Sequence, residues 1–269
     1  MPSSSTGSAA NFLGKYGDRT ITCTPYALSR LGVERNKCMF KIEEYSIDCI
    51  PFQFGFKRSL FLAAISPREL IFFQKYVNAI IGLSISFAPA NRAPAKFLLR
   101  CNLASLGQMK ARENTGLFVV DFKTTPEELT ILLGGFLETH ERLQNQFEEY
   151  GDLLIKMTPP VAKLLGYNQE SALTEPGKGS RKIQILSLTS KSIEHMEAPG
   201  SPVRFPGTPV AYEVALGKRL LLLTGSVVSA GALPQGPVRT VSRLSFSPEL
   251  VEIIDDYWYT VKNPMKIAK

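Results

Sequence analysis

The apolar positions of this 269-residue chain fall into many short runs rather than a few long ones. In the first half KIEEYSIDCIPFQF (41–54), SLFLAAIS (59–66), NAIIGLSISF (78–87), KFLLRCNLASL (96–106) and GLFVVDF (116–122) are rich in β-branched and aromatic residues. In the second half RKIQILSLTS (181–190), PVAYEVAL (209–216), RLLLLTGSVVSA (219–230) and RTVSRLSF (239–246) share that character. Polar or proline-containing joins separate the runs, which therefore read as strands. LGKR (216–219) reads as a tight hairpin turn. The period then changes. Leu129, Leu132, Leu133, Phe136, Leu137 and Leu143 recur at helical spacing, as do Leu250, Ile253, Ile254, Tyr257 and Trp258. Thr125-Pro126-Glu127-Glu128 reads as a capping box ahead of the first helix, and Ser247-Pro248-Glu249 as a cap ahead of the second. Short strands closed by a capped helix suggest antiparallel barrels.

The pattern occurs twice. YGDRTITCTPYALSRLG (16–32) and YGDLLIKMTPPVAKLLG (150–166) agree at 8 of 17 positions without a gap, at an offset of 134. FLLRCNLASLGQM (97–109) lies against LLLTGSVVSAGAL (221–233), and GLFVVDF against TVSRLSF (240–246), both at an offset of 124. A shorter stretch before the first core strands of the second copy is the expected reason for the drop. Self-similarity of this kind predicts two copies of one unit. The expected organisation is a disordered tail at 1–13, domains at 14–149 and 150–263, and a basic tail at 264–269.

Composition narrows the function classes. A hydrophobic share of 44% and a charged share of 20% fit a globular chain long enough for two cores. No apolar run approaches the length of about 18 residues that a spanning helix needs, and the start MPSSSTGSAAN does not read as a signal peptide. The expected compartment is the cytoplasm, where Cys23, Cys38, Cys49 and Cys101 would be reduced, packed thiols. The net charge of +7 is spread over both halves, which favours anionic partners without marking a nucleic-acid stripe.

The order of these elements resembles the PilZ domain: a strand ending in a Ser-containing turn, then apolar-cored strands, a G-(hydrophobic)-x-V-x-F strand and a C-terminal helix. The tandem arrangement is similar to the two-domain PilZ proteins of spirochaetes and flagellar bacteria. The resemblance implies a mainly β fold of two tandem PilZ-like antiparallel β-barrels, each with a C-terminal α-helix. It also implies cyclic di-GMP as a possible ligand, with no other cofactor and no metal. Members that bind this nucleotide carry R-x-x-x-R and [DN]-x-S-x-x-G. The second motif would fall on Ala64-Ile65-Ser66-Pro67-Arg68-Glu69, which keeps only Ser66, or on Ser187-Leu188-Thr189-Ser190-Lys191-Ser192 in the other copy. No R-x-x-x-R precedes either. Lys37 and Lys41 stand where cations would be needed, but an ammonium is a point charge without the guanidinium fork. Lys37, Lys41 and Ser66 are therefore the candidate nucleotide-binding residues.

Other chemistry finds little support. EPGKGSRK (175–182) departs from the phosphate-loop pattern and reads as a basic loop. His140 is expected on the polar side of its helix, His195 in a strand-to-turn segment, and Asp255-Asp256 on a solvated helix face. No nucleophile–base pair or metalloprotease motif emerges from local spacing, so the expected protein is not an enzyme. It reads as a regulatory adaptor of cyclic di-GMP or motility-linked signalling that binds a protein partner. A weak cyclic di-GMP receptor is the first alternative. The second is an RNA-binding barrel using FGFKRSLF (54–61), where aromatic and basic residues interleave.

Overall fold

Both repeated phrases fold into the same small device. In the computed structural model, Thr24 and Thr158 stand as N-caps of short helices that begin at prolines and end on Gly32 and Gly166. The two glycines have φ of +71° and +62°, a left-handed conformation that disfavours any side chain. A Cβ at Gly32 would strike the backbone of Ala88 and Pro89, and one at Gly166 would come within 2.7 Å of Gly217. The phrase thus seats a capped turn of helix against the same hairpin connection in each copy.

The structure describes residues 8–90, 93–110, 112–175, 179–234 and 236–263, with backbone alone at 168–170 and 175. These form two compact units that divide between Thr139 and His140. Unit 1 contains α1 (Ala9–Tyr16), β1 (Thr20–Thr22), α2 (Pro25–Leu31), β2 (Met39–Ile42), β3 (Tyr45–Asp48), β4 (Ile50–Gly55) and β5 (Arg58–Ala64). It continues with α3 (Pro67–Gln74), β6 (Ile80–Phe87), β7 (Ala95–Gln108), β8 (Thr115–Phe122) and the first part of α4 (Glu127–Glu149). Unit 2 contains the end of α4, β9 (Ile155–Lys156), α5 (Pro159–Leu165), β10 (Tyr167–Glu175), β11 (Gly179–Leu188) and β12 (Ser192–Glu197). Its remaining elements are β13 (Pro209–Leu216), β14 (Arg219–Ala232), β15 (Val238–Leu244) and α6 (Pro248–Lys262).

In unit 2 the ladder β10-β13-β14-β15-β12-β11 closes on itself, because β10 pairs with both β13 and β11. Closure leaves the ring without free edges. Unit 1 has the same order, β2-β6-β7-β8-β5-β4, and β3 continues β4 past Cys49 to pair back onto β2. The run 41–54, expected as one strand, is therefore two and a half strands, folded back at Glu43, whose φ is +51°. Each barrel carries a C-terminal helix, so the fold is mainly β with two tandem antiparallel barrels, as the PilZ-like resemblance implies. The turn at Gly217-Lys218 is the expected hairpin.

Register makes the correspondence residue by residue. The offset is 134 at β1 and β9, where Ile21 pairs with Phe54 as Ile155 pairs with Leu188. It is 133 at β2 and β10, after an irregularity in β10, and 134 again through β4 and β11 and β5 and β12. It falls to 129 at β6 and β13 and to 124 at β7 and β14. After the next hairpin it is 122, so Val119 rather than Leu117 corresponds to Val241. The shortening thus lies in the connections after β5, not before the first core strands. Two ladder irregularities also coincide. One falls between Pro51/Gln53 and Ile185/Ser187, the other between Leu103/Ser105 and Val227/Ser229.

Other departures are local. Helix α1 starts at Ala9, inside the stretch expected to be a tail, because Phe12 and Tyr16 bury one face and Ser8 caps it. Thr125 does not close a capping box; its hydroxyl donates to the Phe56 carbonyl at 2.5 Å, whereas Ser247 caps α6 as expected. The units divide ten residues before Tyr150, within α4. Phe147 there stacks edge-on against Phe246 at 5.4 Å, and its carbonyl accepts from Ser190 Oγ at 2.6 Å. Residues 264–269, expected to be a basic tail, lie outside the described residues.

Candidate functional site

The three candidate nucleotide-binding residues do not converge. Lys37 ends a one-turn 3-10 helix, Arg35–Lys37, and its ammonium sits 2.7 Å from Glu34 Oε1. It lines a cavity of about 430 Å³ with Asn36, Ser84, Ser86, Lys96 and the carboxylates of Glu34 and Asp48. Neither Lys41 nor Ser66 lines that cavity. Lys41 lies on β2 opposite Gly82, exposed and without an ion pair among the described residues. Ser66 is the N-cap of α3. Its hydroxyl accepts from Glu69 N at 3.3 Å while its own N–H donates to Glu69 Oε2 at 2.7 Å. That backbone hydrogen bond holds the Glu69 carboxyl below the usual range. Ser66-Pro67-x-Glu69 is a helix-start signal, and α3 follows from it. The second candidate stretch, Ser187–Ser192, forms the β11–β12 turn, the counterpart of the β4–β5 turn rather than of Ser66, with Thr189 Oγ1 accepting from Lys191 N and Ser192 N.

Sequence reasoning missed a polar cluster inside barrel 2. Ile193, His195 and Glu197 alternate inward along β12, so His195 is wholly buried rather than at a strand end. The phase was legible, because Ile193 fixes which face of the strand points inward. Glu197 accepts from His195 Nε2 at 3.4 Å and forms a two-point ion pair with Arg204 from the β12–β13 connection. Burial pushes the Glu197 carboxyl up, but the hydrogen bonds from His195 and Arg204 outweigh it and bring the pKa to about 2. Tyr212 lies edge-on to His195 at 5.4 Å and donates to Ser242 Oγ at 2.6 Å. Burial raises its phenol to about 12. This cluster is enclosed by the barrel wall and braces the connection that carries Arg204.

The other candidates resolve locally. Phe54, Phe56 and Phe61 point into the core and Arg58 is paired with Asp121 at 2.6 Å, so the interleaving in 54–61 is not a surface for bases. His140 is half-buried and edge-on to Phe246 at 5.2 Å rather than solvated. Asp255 accepts from Tyr150 Oη at 2.5 Å, tying the start of the second phrase to α6. Burial raises the Cys38 thiol to about 11 and those of Cys23 and Cys101 to about 12, and pushes Cys49 up as well, which leaves little nucleophilic thiolate. Among the described residues no group of three His, Cys, Asp or Glu side chains could hold a metal ion, and no helix is long and apolar enough to cross a membrane. Residues 176–178 of the basic loop lie outside the described residues.

No protein-family model matches the chain, and no curated protein matches it in sequence. Solved structures do. PlzA of Borreliella burgdorferi in complex with cyclic di-GMP is 16% identical, with 93% of this chain and 97% of that chain covered and a TM-score of 0.46. YcgR of Escherichia coli, also in complex with cyclic di-GMP, is 9% identical over 96% and 92%, with a TM-score of 0.30. The Bacillus subtilis inhibitor of motility, MotI, is 10% identical over 88% and 99%, with a TM-score of 0.29.

Proposed function

We propose that the protein is a non-enzymatic adaptor of cyclic di-GMP or motility-linked signalling, in which the two barrels serve mainly as protein-interaction modules. The pathway follows from the PilZ-like resemblance. The observation that carries the adaptor reading is the engagement of Ser66. Both its hydroxyl and its backbone N–H are committed to Glu69, so the one motif residue retained in unit 1 acts as a helix cap. A phosphate–guanidinium contact contributes about 1.5–3 kcal/mol, and losing several weakens a site by orders of magnitude. Calorimetric titration of the full chain with cyclic di-GMP tests this reading. The expected result is no detectable heat, and unchanged behaviour in Ser66→Ala, which instead costs about 1 kcal/mol of stability as a lost cap. Tight, salt-insensitive binding would overturn it.

The weak-receptor alternative draws on one observation. Lys41 is exposed and unpaired among the described residues, and Lys37 shares a cavity with Lys96. Binding carried by such point charges would fall steeply with salt and disappear in a Lys37→Ala/Lys41→Ala variant.

A further inference from the structure

The outer face of unit 1 across β2, β6 and β7 joins apolar and basic residues. Ile80 is 54% exposed and Leu98 77%. With Leu99, Arg100, Lys123, Thr124 and Pro126 they line a groove of about 490 Å³. Register extends the basic rim. Lys41 pairs with Gly82 and Gly82 with Arg100, so the backbones of the two basic residues stand about 9–10 Å apart across a residue with no side chain. Neither has an ion-pair partner among the described residues, and Lys123 adds a third charge at the groove.

The second barrel supplies an internal control. By the same register Leu98 corresponds to Leu222, which is 73% exposed, so the solvent-facing leucine stands in both units. The cations stand in one only. Lys41, Arg100 and Lys123 correspond to Thr174, Thr224 and Ser245. Ile80 corresponds to Pro209. An exposed leucine is ordinary. One flanked by cations in only one of two like barrels, two of them without an ion-pair partner among the described residues, points to an occupant of opposite charge.

We propose that this groove docks an acidic protein segment that inserts one large apolar side chain beside Leu98 and Ile80. This rests on the protein-interaction reading above and names the partner's chemistry. A nucleic acid would satisfy the cations, but unspecific binding of single strands relies on aromatic platforms, and among the described residues no aromatic side chain lines the groove. Apolar anchors inside a polar rim are how protein interfaces concentrate their energy, and the charges steer encounter.

The test is selection from a random-peptide display library on the immobilised full chain, in parallel on Leu98→Ser/Arg100→Glu and on Leu222→Ser. Both altered leucines are exposed, so the variants keep their cores. The expected result is enrichment of acidic sequences carrying Leu, Ile or Phe on wild type and on Leu222→Ser. A synthetic peptide of the enriched sequence should bind the Leu98→Ser/Arg100→Glu chain at least about a hundredfold more weakly, two tenfold losses combined. Absence of enrichment, enrichment that is not acidic, or equal binding to that variant would overturn the proposal. So would tighter binding of oligouridylate than of the peptide, lost in the same variant. Cyclic di-GMP titrated on the same proteins separates the two readings. Tight nucleotide binding unaffected by Leu98→Ser/Arg100→Glu would remove the adaptor reading while leaving the groove to the peptide result.

Discussion

The two barrels share a wall and differ in what fills it. In unit 1 Phe40 packs against Phe61 at 5.3 Å and Phe118 at 4.9 Å, with Ala63, Leu83 and Val120 around them. At the corresponding positions unit 2 has Leu173, His195, Thr240, Glu197, Tyr212 and Ser242, all buried. Two aromatic rings have given way to an imidazole and a hydroxyl, and Arg204 enters from the connection where unit 1 has α3. One topology therefore accepts either an aromatic core or a hydrogen-bonded ionic one. The two fail differently. An aromatic core loses stability in proportion to the volume removed, whereas a buried ion pair loses most when a single partner goes.

The largest expected effect breaks the polar side of that contrast. Arg204→Ala should destabilise unit 2 by about 3–5 kcal/mol, because Glu197 is left charged and buried. Trp258, the only tryptophan, lies in unit 2 and reports its denaturant transition by fluorescence. Replacing the cluster together, with His195→Phe, Glu197→Ala and Arg204→Leu, should restore or raise the midpoint. A single alanine variant with no shift would show that the pair does not hold the connection.

Acid should separate the units next. The Glu197 carboxyl lies below its unfolded value, so its contribution is complete above about pH 5 and is lost as pH falls toward about 2. The loss is on the order of 2–3 kcal/mol and belongs to unit 2. The aromatic interior of unit 1 has no counterpart group. Circular dichroism with Trp258 fluorescence along an acid titration should show unit 2 melting first, and a Glu197→Gln chain should lose that order.

The smallest of the three effects concerns the joint. A C-terminal piece starting at His140 should be more stable than one starting at Tyr150 by about 2 kcal/mol, from the ring contacts of His140 and Phe147 with Phe246 and the hydrogen bond from Ser190 to the Phe147 carbonyl. Thermal melts of the two pieces measure this. Equal midpoints would place the working boundary at Tyr150 after all.

The fold was legible because its signals are local. Thr24-Pro25 and Leu31-Gly32 specify a capped turn wherever they occur, and alternation marks strands whatever they pair with. The register was less so. Where the offset changes depends on loop lengths, and both GLFVVDF alignments keep the same alternation, so only pairing chooses between 124 and 122. Ser66 shows a second limit. The same four residues spell a helix cap and a fragment of a ligand motif, and the hydrogen bond from Glu69 decides between them. The basic groove was illegible for a different reason: Lys41, Arg100 and Lys123 are far apart in sequence, and only the sheet brings them together.

The paired irregularities at Phe52 and Leu186, and at Ala104 and Val228, bear on the history of the chain. An extra residue in a strand bends it and is hard to gain or lose once the neighbouring side chains have settled their facing. Finding both at corresponding places in each barrel is what copying a single ancestral unit that already held the bends would leave. The helix α3, the shortened hairpins and the exchange of Phe61 and Phe118 for His195 and Thr240 are then later marks, made after the copies could diverge. The chain preserves an order of events, with its bends as the oldest layer.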